Sequence, residues 1–110
     1  MLPDIEHLPL DEQIYHAHTE WNDRTYDYDR LESMRKALHA HKIMEGMDGK
    51  KSVSRVTLEV EASEWSISYL KERDEAKRFA ADAKAKYEYL CNLSKSQREE
   101  SYHERFAAKL

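Results

Sequence analysis

"GMDGKKS", residues 46–52, is the stretch on which the fold turns. It holds both glycines of the chain, Gly46 and Gly49, and closes on Ser52, a residue type that accepts backbone hydrogen bonds at a helix start. Both prolines, Pro3 and Pro9, lie before residue 10. From Leu10 to Glu45, and again from Lys50 to Leu110, nothing obliges a helix to stop. The punctuation predicts an all-α fold, a long antiparallel helical hairpin. Residues 1–9 are expected to form a flexible N-terminal segment, and residues 10–110 a single domain with its turn at 46–52.

Upstream of the turn, Leu10, Ile14, Ala17, Trp21, Tyr28, Leu31 and Leu38 recur at steps of 3, 4 and 7, one face of a helix. The pairs Glu20/Arg24 and Glu32/Lys36 support its outer side. Downstream, Ala76, Phe79, Ala80, Ala83, Tyr87, Leu90 and Leu93 form the second stripe, its alanines leaving room for a close partner helix. The expected helix–helix seam is Trp21, Tyr28, Leu31 and Leu38 against Ala76, Phe79, Ala80, Ala83, Tyr87 and Leu90. "SEWS" at 63–66 offers Ser63 as a second cap, where a helix can begin or restart. Residues 52–61, "SVSRVTLEVE", alternate Val56, Leu58 and Val60 as a strand would. No second strand-like run exists to pair with them inside the chain, so helix is favoured over a strand shared between subunits.

Two helices share one seam and cannot hide Trp21, Trp65, Tyr69, Phe79 and Tyr87 together. The hairpin is therefore expected to assemble into a homo-oligomeric helical bundle of coiled-coil type. Composition points the same way. Charged residues make up 36% of the 110, and Leu, Ile, Val and Phe number only 19, so the core of one chain is narrow. Two Trp and seven Tyr nonetheless exceed what a solvated, disordered chain carries.

Net charge is −4, with residues 1–49 at −6 and 50–110 at +2. That balance does not suit a general nucleic-acid binder, which presents a basic face and a high pI. A single cysteine, Cys91, excludes an internal disulfide framework. No apolar run approaches the roughly 20 residues that span a bilayer, and no basic-then-apolar start marks a signal peptide. The expectation is a soluble protein of the host-cell cytoplasm with no membrane partner.

His-Ala-His occurs twice, at His16/His18 and His39/His41. Residues i and i+2 point about 200° apart on a helix, so neither pair chelates alone. Only an antiparallel dimer of first helices centred near Tyr28 and Asp29 would bring the two pairs together across an interface. Glu100-x-x-His103 is half of a di-iron bundle pattern, in a solvated setting. Cys91 reads as a small buried hydrophobe, and His103, twelve residues on, cannot activate it within one helix. Phosphate loops, zinc ribbons and nucleophile elbows are missing. No catalytic residue, metal or cofactor is expected, and the chain reads as a non-enzyme.

Binding residues are easier to find. Lys50, Lys51 and Arg55 cluster at the turn, and copies of that turn in an oligomer would line one end. They are the expected contact with single-stranded DNA or a protein partner. Lys84, Lys86, Lys95 and Arg98 beside Tyr87 and Tyr89 read more plainly as a solvated face. An alternative contact is acidic, through Glu20, Asp23, Asp27 and Asp29.

"YDYDRLESMRKALHAHK", the turn "GMDGKKSVSR" and "SEWSISYLKERDEAKRFAADAKAKYEYL" together resemble, over roughly residues 10–100, the small two-helix proteins of tailed-phage early and DNA-metabolism regions. The resemblance is one of texture and layout. It implies a non-catalytic accessory of DNA recombination or replication that oligomerises and binds single-stranded DNA or a DNA-handling protein. The acidic overall charge departs from recombination mediators of that kind, which need a basic surface. The competing expectation is a host-directed inhibitor, an anti-defence protein using its acidic half as a nucleic-acid mimic.

Overall fold

The computed structural model describes residues 4–109. The chain is all-helical, and no strand forms among the described residues. Three helices follow one another: α1 (Leu10–Gly46), α2 (Val53–Glu61) and α3 (Glu64–Lys109). The second long helix expected from the punctuation is thus two helices, because the chain breaks at Ala62–Ser63 without glycine or proline.

Capping explains both starts. Ser52 takes an extended conformation (φ −71°, ψ 156°) and its Oγ accepts the Arg55 N–H at 3.2 Å. A helix of nine residues satisfies its own backbone there, whereas a strand would need a ladder that the chain does not supply. At the other end, the Ala62 N–H bonds back to the Leu58 carbonyl and the Ser63 N–H to the Val60 carbonyl, both at 3.1 Å. Ser63 then caps α3, its Oγ accepting the Ser66 N–H at 3.3 Å.

The chain divides into two compact units, one of Met1–Arg24 with Ala80–Leu110 and one of Thr25–Phe79. In the first, Ile5, Ala17 and Leu90 form a buried cluster against Leu8, Leu10, Ile14 and Tyr87. Ala83 is buried as well. The helical domain expected from residue 10 therefore has a core residue five positions earlier. Residues 4–9 are held by a turn in which the Leu8 N–H bonds the Ile5 carbonyl at 3.0 Å. The Gln13 side-chain amide, donating to the Leu8 carbonyl at 2.7 Å, ties that turn to α1. The expectation of flexibility at residues 1–3 lies outside the described residues.

In the second unit Val56 is the most deeply buried side chain, 1% exposed. Gly46 lies against it so closely that an added Cβ would sit 2.9 Å from Val56 Cγ1. Gly49 has φ 79°, a left-handed turn conformation that suits glycine. Portions of α1 and α3 run antiparallel here. The Tyr69 hydroxyl donates to the Leu31 carbonyl, and Arg73 pairs with Glu32 at 3.2 Å.

Among the described residues the buried apolar set is Ile5, Ala17, Val56, Ala83 and Leu90. Full burial of a Val, Leu or Ile stabilises by roughly 1.5–3 kcal/mol, so most of the apolar stabilisation rests on half-buried rows instead. Among the described residues, no helix is long and apolar enough to cross a membrane.

Candidate functional site

A groove of about 430 Å³ opens in the Thr25–Phe79 unit. Arg35, Lys36 and His39 of α1 form one wall, and Trp65, Ser66, Tyr69 and Leu70 of α3 the other. Glu61, the last residue of α2, closes one end. The steps explain the walls: 35, 36 and 39 share a face of α1, and 65, 66, 69 and 70 share a face of α3.

The aromatic wall is built to stay in place. Trp65 and Tyr69 stack with centroids 5.6 Å apart and planes at 35°. The Tyr69 hydroxyl is anchored on the Leu31 carbonyl. Ser66, small and buried, lies between them in sequence and leaves the space a larger side chain would fill. The Lys42 ammonium stands 5.6 Å from the Trp65 ring centre, a cation–π arrangement that adds positive charge beside the ring.

The opposite wall is cationic. Arg35 and Lys36 are exposed, and neither has an ion-pair partner among the described residues. Glu32, which could neutralise Lys36, is instead engaged by Arg73. Hydrogen bonding to Asp74, then the charges of Asp74 and Glu32, holds the Arg73 guanidinium's pKa above its usual value. Glu61 is the groove's one carboxylate, 4.0 Å from His39 Nε2. Fixed aromatic faces opposite free cations can stack a flat ring and hold an anion beside it.

The turn cations are differently placed. Lys51 Nζ lies 2.9 Å from Glu59 Oε2, and Arg55 Nε lies 3.3 Å from Glu59 Oε1. The Asp48 carboxylate accepts the Lys50 and Lys51 backbone N–H groups. Two of the three cations expected to face a partner thus share a carboxylate of α2, and Lys50 is the exposed remainder.

Of the four acidic residues, Glu20, Asp23 and Asp27 share one face of α1. Glu20 is bound by Arg24 at 2.7 Å, while Asp23, Asp27 and Asp29 are exposed. Asp27 and Asp29, two apart on a helix, diverge by about 200°. Of the seam residues, Ala83 and Leu90 are buried, and Trp21, Tyr28, Leu31, Leu38, Ala76, Ala80 and Tyr87 are half-buried. Phe79 differs: it is 41% exposed, with the Arg78 guanidinium 5.4 Å from its ring centre.

The histidines have neighbours within the chain. His18 packs on Trp21 and Tyr87, with centroids 6.0 and 5.1 Å away. His41 Nε2 lies 2.9 Å from Glu45, and His16 meets Tyr15 edge-on. Among the described residues no group of three or more His, Cys, Asp or Glu is placed to hold a metal ion. Cys91 is half-buried, and its hydrogen bond to Tyr87 keeps that phenol's pKa above the usual value.

Sequence reasoning missed the groove. Trp65 and Tyr69 entered it only as surface to be hidden, Lys36 only as the helical partner of Glu32, and Arg35 not at all. The signal available was Arg35, Lys36, His39 and Lys42 at helical spacing on one face. Comparison of the chain with protein-family models, curated proteins and solved structures gave no match.

Proposed function

We propose that this protein is a non-catalytic, self-associating accessory of phage DNA recombination or replication that holds single-stranded DNA in the groove between Arg35 and Lys36 and the Trp65–Tyr69 pair. The observation that carries this reading is the pairing of two unneutralised cations with two neighbouring rings, of which Tyr69 is anchored on the Leu31 carbonyl. A base laid on an aromatic face gains about 1–3 kcal/mol, and the cations bind the flanking phosphates. The phage setting comes from the sequence resemblance. Self-association is supported by the large apolar side chains left exposed, among them Tyr15, Met44, Leu58 and Ile67.

Trp65 reports on its own site. In a Trp21→Phe background, titration with oligo-dT is expected to quench the remaining tryptophan. Affinity should fall steeply as salt rises. Replacing Arg35 and Lys36 together by Glu should weaken binding at least tenfold. The same change should lower the salt slope by about 1.4, at roughly 0.7 for each phosphate no longer neutralised. Replacing Lys50 and Lys51 by Glu should cost less, since Glu59 already holds Lys51. No quenching at about 50 mM salt, where phosphate binding is strong, would sink the reading.

A second reading, a host-directed inhibitor binding a host protein, draws on the exposed Asp23, Asp27 and Asp29. It requires a host protein whose DNA binding this chain competes away, with loss of competition when those three become Asn.

A further inference from the structure

The exposed end of α3 carries a pattern that is complementary to itself. Beyond Ser94, every described residue of α3 is exposed except Ser101, which is half-buried. The helix nevertheless continues to Lys109. A solvated helical stretch of about 12–15 residues is marginal in water unless packing or side-chain pairs support it. Beyond Ser94 the one oppositely charged pair at this spacing is Lys95 with Glu99, and no ion pair forms between them. The other charged i,i+4 pairs are like-charged, Glu100 with Glu104 and Arg105 with Lys109.

Glu99, Tyr102, Phe106 and Lys109 follow at steps of 3, 4 and 3, which puts them on one face. Tyr102 is 67% exposed and Phe106 55%. Neither Glu99 nor Lys109 has an ion-pair partner among the described residues. The stripe reads acid, aromatic, aromatic, base. Reversed in direction it reads base, aromatic, aromatic, acid, so an antiparallel copy meets it with opposite charges at both ends.

We propose that the end of α3 is a two-fold antiparallel interface between two copies of this chain, centred at Glu104. Glu99 then faces the partner's Lys109, and Tyr102 faces the partner's Phe106, with both pairs repeated by symmetry. The paired aromatic rings shed water in the middle of the seam, and the two ion pairs fix direction and register. With four side chains from each copy, the interface is small and the dimer is concentration-dependent. This proposal gives an interface to the self-association invoked above, and it does not depend on DNA binding.

Sedimentation equilibrium over a concentration series tests it without DNA. The wild-type mass should rise with concentration toward twice 13.1 kDa. Glu99→Lys or Lys109→Glu alone should weaken dimerisation at least tenfold. The double variant, with both charges exchanged, should restore it. Phe106→Glu should leave a folded monomer, because that side chain is outside the core, with helicity lost only at the end of α3 that the partner no longer covers. A wild-type monomer at high concentration, single variants that dimerise like wild type, or an exchanged pair that stays monomeric would each overturn the proposal. Trp65 quenching by oligo-dT, measured separately, decides the DNA reading.

Discussion

Glu59 takes two cations that a charge count leaves facing solvent. Its hydrogen bond to Lys51, followed by the charges of Lys51 and Arg55, lowers the carboxyl pKa below its usual value of 4.5. A carboxyl depressed in the folded state contributes stability that is present above its unfolded pKa and lost as pH falls through the folded one. Lys51→Ala should therefore raise the Glu59 midpoint toward 4.5, as followed by its side-chain carbonyl in an NMR titration. The stability difference between variant and wild type should be seen at neutral pH and vanish in acid. An unmoved midpoint would show that Lys51 does not hold Glu59. The same carboxylate explains why the turn looked like a binding site. Lys50, Lys51 and Arg55 are visible as a cluster in the chain, but Glu59 joins them only once 53–61 coils into a helix.

Between helices, the junction of α1 and α2 depends on one missing Cβ. Gly46 ends α1, and its Cβ position lies 2.9 Å from Val56, which has no free space to yield. Gly46→Ala should destabilise the protein by about 1–3 kcal/mol, the usual cost of overpacking. That outcome runs against the helix propensity of alanine, which on its own favours the substitution. Pairing Gly46→Ala with Val56→Ala should recover part of the loss. Urea midpoints of the two single variants and the double variant give the coupling. Strict additivity would mean that Gly46 is there for the turn alone. The caps at Ser52 and Ser63 were legible in the chain, since a serine before a helical stretch has a local role. The close approach of Gly46 to Val56 was not, because it joins residues ten apart across a turn.

Across the molecule, the two units carry one tryptophan each, Trp21 and Trp65. Trp21 stacks on Tyr87 at 5.4 Å, in the unit that contains Leu90. Leu90→Ala should cost about 2–5 kcal/mol. Its effect should appear first in the transition reported by Trp21 in a Trp65→Phe background. The Trp65 signal, read in a Trp21→Phe background, should shift less. Equal shifts would mean that the chain melts as one cooperative body. Helical class, the break at 46–52, the caps at Ser52 and Ser63 and the apolar stripes were all written in the chain. Each follows from steric limits, capping chemistry and a 3.6-residue period that act within a few positions. Pairing at a distance came only with the fold. In the Thr25–Phe79 unit the register of α1 against α3 sets Arg35 and Lys36 opposite Trp65 and Tyr69, and in the other unit Ile5 joins a core with Leu90. Stripes settle which faces meet, but many registers bury similar apolar area. The choice among them rests on specific contacts such as Tyr69 with Leu31 and Arg73 with Glu32, whose partners lie about forty residues apart.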